Sequence, residues 1–134
     1  MKKGICLMLS ILVLLSSIGV AYAEGDIMLC YAYVDSIKAS LSISAGTATA
    51  VGNVIPAGSM KSTITVRLQR EDSSGKWTTI SIWTGTNEKG KSEAGGKKSL
   101  TAGYNYRVYV TGKVYDDKGN VVETVNKYST TKPY

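Results

Sequence analysis

Tyr104-Asn105-Tyr106-Arg107-Val108-Tyr109-Val110-Thr111-Gly112-Lys113-Val114-Tyr115 is the stretch that decides the fold. Tyr106, Val108, Val110 and Val114 share one parity, while Tyr109 and Tyr115 fall on the other. Strand side chains alternate between two faces, so a period of two marks a strand buried on one side. Asp116-Asp117-Lys118-Gly119-Asn120 follows as a hairpin turn, with Gly119 free to take a positive φ. Val121 to Tyr128 is the returning strand.

The same alternation extends towards the N-terminus. In Ser62 to Arg70, Ile64, Val66 and Leu68 point one way, and Thr63, Thr65, Arg67 and Gln69 the other. Asp72-Ser73-Ser74-Gly75 is a turn, and Lys76 to Thr84 is a strand rich in Trp, Ile and Thr. Ile37, Ala39, Leu41 and Ile43 alternate with Lys38, Ser40, Ser42 and Ser44. After Ala45-Gly46, Thr47 to Val54 forms another strand with the small residues Ala48, Ala50 and Gly52 on one face, ended by Pro56-Ala57-Gly58-Ser59. Residues 85–98 lose the pattern among glycines, lysines and serines and read as a long polar loop. Short strands separated by turn signals, with no helical period after residue 23, predict an all-β chain of about seven strands folded as one β-sandwich. Its expected bounds are 36–129, after an N-terminal lead-in over 24–35 and before a polar tail over 130–134.

One motif narrows the class. Leu100-Thr101-Ala102-Gly103-Tyr104-Asn105-Tyr106-Arg107-Val108 resembles the tyrosine corner of fibronectin type III and immunoglobulin-like sandwiches, with Leu100, Gly103 and Tyr106 in the spaced positions. The resemblance implies that the Tyr106 ring packs inward and its hydroxyl bonds to nearby backbone, pinning the crossover between sheets. A tyrosine that merely alternates inward would share the burial but lack that bond. The immunoglobulin cysteine pair is absent. Ala39 to Ser44, Val66 to Arg70, Lys76 to Ile80 and Gly103 to Gly112 also make the chain similar to small secreted proteins of unknown function from clostridia and related Gram-positive bacteria. That resemblance implies secretion and a sandwich, and carries no activity.

The N-terminus has the layout of an export signal. Lys2 and Lys3 precede an apolar run from Ile5 to Leu15, and Ala21-Tyr22-Ala23 places small residues where a signal peptidase reads. Cleavage between Ala23 and Glu24 is expected, so the helical segment 1–23 meets the membrane only during export. A permanent span would need about 20 apolar residues and a basic stop-transfer cluster. No apolar tail or Leu-Pro-x-Thr-Gly motif is present, so covalent wall anchoring is not expected. Processing leaves 111 residues with fourteen basic against ten acidic side chains, a net charge of +4. Cys30 is then the sole cysteine, which rules out an internal disulfide.

Chemistry is constrained by what the chain lacks. With no histidine, the commonest general base, the Ser-His and Cys-His nucleophile pairs and His-ligated zinc are unavailable. The carboxylates cluster in turns, as at Glu71-Asp72 and Asp116-Asp117, where solvation accounts for them, and the latter pair lacks the spacing of a calcium loop. The expectation is a non-enzymatic protein without cofactor or metal, and no nucleic-acid partner, since no basic-aromatic stripe appears. Candidate ligand contacts are aromatic. Trp77 and Trp83 lie six residues apart, hence on one face of a regular strand. Tyr109 and Tyr115 oppose the core parity, and exposed rings could stack on sugars or a protein. Against this stands the bland reading, in which one Trp fills the core and the tyrosines cover neighbouring side chains. The leading expectation is a secreted interaction module for a surface glycan or protein. The alternatives are a secreted antimicrobial or toxin-like protein and a surface assembly subunit joined through a sheet edge.

Overall fold

A computed structural model describes residues 31–134. The cleavage point at Ala23 and Glu24, and Cys30, lie outside them. Every element among the described residues is a strand: β1 (Val34–Ser44), β2 (Thr47–Pro56), β3 (Lys61–Glu71), β4 (Trp77–Asn87), β5 (Ser92–Ser99), β6 (Asn105–Tyr115), β7 (Val121–Tyr128) and the two-residue β8 (Lys132–Pro133). One sheet has the order β1-β2-β5. The other has the order β4-β3-β6-β7, with β8 beside the start of β6. All pairings are antiparallel. The chain is therefore an all-β sandwich. β4 joins β3 rather than β5, unlike the constant-type immunoglobulin arrangement, in which the fourth strand pairs with the fifth.

The alternating sequences explain the core. Ile64, Val66 and Leu68 of β3 and Tyr106, Val108, Val110 and Val114 of β6 are buried. They face Ile37 and Leu41 of β1 and Ala48, Ala50 and Val54 of β2, which are buried too. Small residues in one sheet receive large ones from the other. A Cβ on Gly52 would sit 2.7 Å from methyls of both Val66 and Val110, and one on Gly112 would sit 2.9 Å from a Val54 methyl. Close-packed interiors leave no slack for such additions, so these glycines set the distance between sheets. The Ser62 and Ser92 hydroxyls, both buried, meet at 2.7 Å between β3 and β5. The Ser62 carbonyl is within reach of the Ser92 hydroxyl and the Gly90 carbonyl within reach of the Ser62 hydroxyl, so each of the two hydroxyl protons of this clasp between the sheets has an acceptor.

Three boundaries differ from the sequence reading. Residues 85–98 are not a polar loop. β4 runs on to Asn87, and β5 occupies 92–99. The packed inward positions of β5 are Ser92, Ala94 and Gly96, too small to give an apolar rhythm, and Lys98, of the same parity, is exposed at the strand's end. The packed three are small because β4 presses close: a Cβ on Gly96 would collide with the Trp83 indole, and one on Gly85 with the Glu93 carbonyl. The expected tail at 130–134 carries β8, and the Tyr134 carbonyl accepts from the Gly103 N–H at 2.6 Å. The first strand begins at Val34, inside the expected lead-in, and Val34 is buried.

The Leu100–Val108 segment forms a tied corner. Tyr106 is fully buried, its hydroxyl donates to the Thr101 carbonyl at 2.6 Å, and it accepts from the Thr101 N–H at 3.1 Å. These are the bonds that a merely inward tyrosine would lack. Gly103 has a φ of 94°, and the Leu100 N–H reaches across to the Gly46 carbonyl in the β1–β2 turn. The hairpin turns after β3 and β6 are built alike. Asp72 Oδ1 accepts from the Ser74 and Lys76 N–H groups, and Asp116 Oδ1 from those of Lys118 and Asn120. Gly75 and Gly119 each hold a positive φ. The bonds from Ser74, side chain first, and from the Lys76 N–H hold the Asp72 carboxyl below the ordinary value. The Asn120 N–H does the same for Asp116, helped by the Asn120 side chain and the Lys118 N–H.

Candidate functional site

The outward face of the β4-β3-β6-β7 sheet gathers the aromatic candidates unevenly. Trp77 and Trp83 do not share a face. Leu68 pairs with Ser81 but Gln69 with Thr79, so Ile80 is an extra residue in β4. Such a bulge breaks the period of two. Trp83 then opposes the buried Val66 and lies over Gly96, on the inward side. Trp77 opposes Glu71 and faces outward. The sequence spacing was misleading because parity counts only along an unbroken strand.

Tyr109 and Tyr115 both lie on the outward face of β6, as their parity predicted, but each is half-buried. Tyr109 stacks on Tyr128 of β7, with centroids 4.5 Å apart and planes at 16°. Tyr115 sits six residues further along β6, at the opposite end of the face, where its hydroxyl meets Thr63 at 3.2 Å and Lys61 lies over its ring. The structure therefore brings Trp77 and Tyr109 into one cluster and leaves Trp83 and Tyr115 out of it.

The cluster is joined by two arginines. The Arg107 guanidinium lies 4.1 Å from the Trp77 ring centre and 4.2 Å from that of Tyr128. Arg67 lies 5.6 Å from the Tyr109 ring centre. The result is a continuous row, Trp77–Arg107–Tyr128–Tyr109–Arg67, across all four strands. Contacts of this kind favour arginine, whose planar group stacks and keeps its charge. Hydrogen bonds to neutral acceptors fix the row: Arg107 Nε donates to Gln69 Oε1 at 2.8 Å, and Arg67 Nη1 to Thr111 Oγ1 at 3.2 Å. Asn126 Oδ1 accepts from the Tyr109 and Thr111 hydroxyls. Tyr109 and Tyr128 cover part of each other's rings, and the guanidinium of Arg107 lies against Trp77 and Tyr128, so these rings are already partly engaged within the protein. Tyr128 nonetheless stays 50% exposed and Ile82, at the rim on β4, 58%.

Sequence reasoning missed Arg107, Arg67 and Tyr128 as site residues. The alternation of β3 puts Arg67 outward with Gln69, but nothing in that strand shows that Tyr109 is its cross-strand partner. Pairing register is the missing signal. Among the described residues, no group of three acidic or cysteine side chains gathers as metal ligands would.

No protein-family model matches this chain, and no curated protein matches it. Among solved structures it is similar to the chain in the solution structure of R. palustris CsgH. The identity is 10%, the TM-score is 0.43, and the match covers 69% of this chain and 87% of that one.

Proposed function

We propose that the protein is an exported, non-enzymatic interaction module that engages a cell-surface glycan or protein through the outward face of its four-stranded sheet. The observation that carries this reading is the Trp77–Arg107–Tyr128–Tyr109–Arg67 row. Arginine and aromatic side chains dominate the energetics of interaction surfaces. This row pre-orders five of them, so less conformational entropy is lost when a partner binds. The charged start, apolar run and Ala21-Tyr22-Ala23 of the N-terminus support export. The test is capture of cell-wall and culture-fluid components on the immobilised protein. Tyr128→Ala and Arg107→Gln should each reduce capture, while Tyr115→Ala, outside the cluster, should not. Equal capture by all of them would overturn the assignment of this face.

A second reading, a surface assembly subunit, rests on β4. This edge strand, Trp77–Asn87, carries no charged residue along its eleven positions, whereas β1, β5 and β7 all do. Uncharged edges are open to pairing with another strand. Sedimentation that depends on concentration and is abolished by Thr84→Lys would support this role; a monomer at all concentrations would exclude it.

A further inference from the structure

Arg67 and Arg107 have a property that deepens the reading above and rests on it. They stand diagonally on neighbouring strands, because Arg67 opposes Tyr109 while Arg107 opposes Gln69. Such diagonal positions are about 7–8 Å apart. The ion pairs among the described residues are Lys61–Glu88 and Lys91–Glu93, so neither arginine has a carboxylate partner. Each instead donates one hydrogen bond to a neutral acceptor and lies against rings. A guanidinium has five N–H donors, so most of each fork remains free while its position is already fixed.

The surroundings reinforce the positive charge. Within β3, β4, β6 and β7 the one carboxylate of outward parity is Glu71, at the corner, where it accepts from Asn105. Beside the arginines lies a field of neutral hydrogen-bonding groups of the same parity: Thr65, Thr79, Thr84, Thr111 and Asn126.

We infer that this face binds an acidic polysaccharide, with sugar carboxylates on the forks of Arg67 and Arg107 and sugar hydroxyls on the threonine and amide field. Bidentate guanidinium–carboxylate pairs are the strong, oriented form of charge-assisted hydrogen bond. A neutral glycan would leave both forks unpaired. A polyanion without hydroxyls would satisfy the arginines and leave the threonine field unused.

The experiment is affinity electrophoresis and calorimetry of the purified protein with alginate, a polyuronate, against dextran, polyphosphate and polyglutamate. Alginate should bind, with affinity that falls as salt rises, and should exceed the other three. Arg67→Gln should weaken alginate binding by about tenfold or more with little change in melting temperature. Arg107→Lys, which keeps the charge but loses the fork, should weaken it as well. Reversing Lys97 and Lys98, which lie on β5 of the other sheet, should leave it unchanged. No alginate binding at low salt overturns the inference, and so does equal binding of polyphosphate or polyglutamate, or loss through Lys97 and Lys98 instead of Arg67. If alginate fails while capture of another component still depends on Tyr128 and Arg107, the interaction face stands and only its ligand class falls. If no component depends on them, both fall.

Discussion

Replacing Tyr106 with Phe isolates the contribution of one hydroxyl. The ring is fully buried and would stay in place, so neither apolar transfer nor a cavity enters the cost. What disappears is a donor to the Thr101 carbonyl at 2.6 Å and an acceptor for the Thr101 N–H at 3.1 Å. Each such bond contributes about 0.5–1.5 kcal/mol net, and a group stranded away from water costs more. Thr101 is itself exposed, so its freed backbone groups can rehydrate, which holds the sum to about 1–2 kcal/mol. For a domain near 100 residues this corresponds to a fall in melting temperature of about 5–15 °C. Urea and thermal unfolding followed by circular dichroism would measure it. Tyr109→Phe is the control: it removes one exposed bond to Asn126 and should shift stability by less than about 0.5 kcal/mol. If the two variants lose equal stability, the tied corner is not holding the crossover, and the argument from hydroxyl geometry fails.

Gly96→Ala should destabilise the fold by about 1–3 kcal/mol, because the new methyl meets the Trp83 indole inside a packed edge; a urea melt in a Trp77→Phe background would also report the displaced indole by fluorescence. Ser62→Ala leaves the Gly90 carbonyl without its side-chain donor and should cost about 1–3 kcal/mol by the same assay. Asp72 and Asp116 have carboxyls held below the ordinary 3.8, so their contribution is complete above that value and is lost as pH falls through the lowered ones. Denaturation midpoints should therefore decline as pH falls below 3.8, and the Asp72→Asn/Asp116→Asn protein, which keeps an acceptor but cannot titrate, should show a flatter profile. Ending the chain at Ser129 removes β8 and the carbonyl that Gly103 and Tyr104 bond, which should lower stability by at least about 1 kcal/mol.

Much of the sandwich was legible because β3 and β6 alternate large apolar residues with polar ones without interruption. β5 was not legible. Its packed inward residues are a serine, an alanine and a glycine, chosen for thinness against Trp83 rather than for apolar area, and thinness has no signature in a hydropathy rhythm. β8 was hidden for a related reason, since two residues on a sheet margin are held by backbone bonds and Tyr134 rather than by an apolar face. At the candidate site the parity of Tyr109 could be read directly, but its partners could not. Tyr128 is nineteen positions away and Arg67 forty-two, and only register brings them together. Trp77 was placed with Trp83 because one inserted residue, Ile80, is indistinguishable in sequence from an ordinary strand residue.

Ile80 also bears on how such a surface could arise. Removing a single codon there would close the bulge and join Thr79 to Ser81, with their partners Gln69 and Leu68 unchanged, so Trp77 would stay opposite Glu71 on the outward face. Straightening β4 with Ile80 retained would instead slide Trp77 by one position and turn it to the face of Trp83. The bulge thus absorbs an inserted residue without an aromatic changing sides. A lineage of sandwiches can gain or lose that codon and keep the same outward row, with the two tryptophans six residues apart in one relative and five in another.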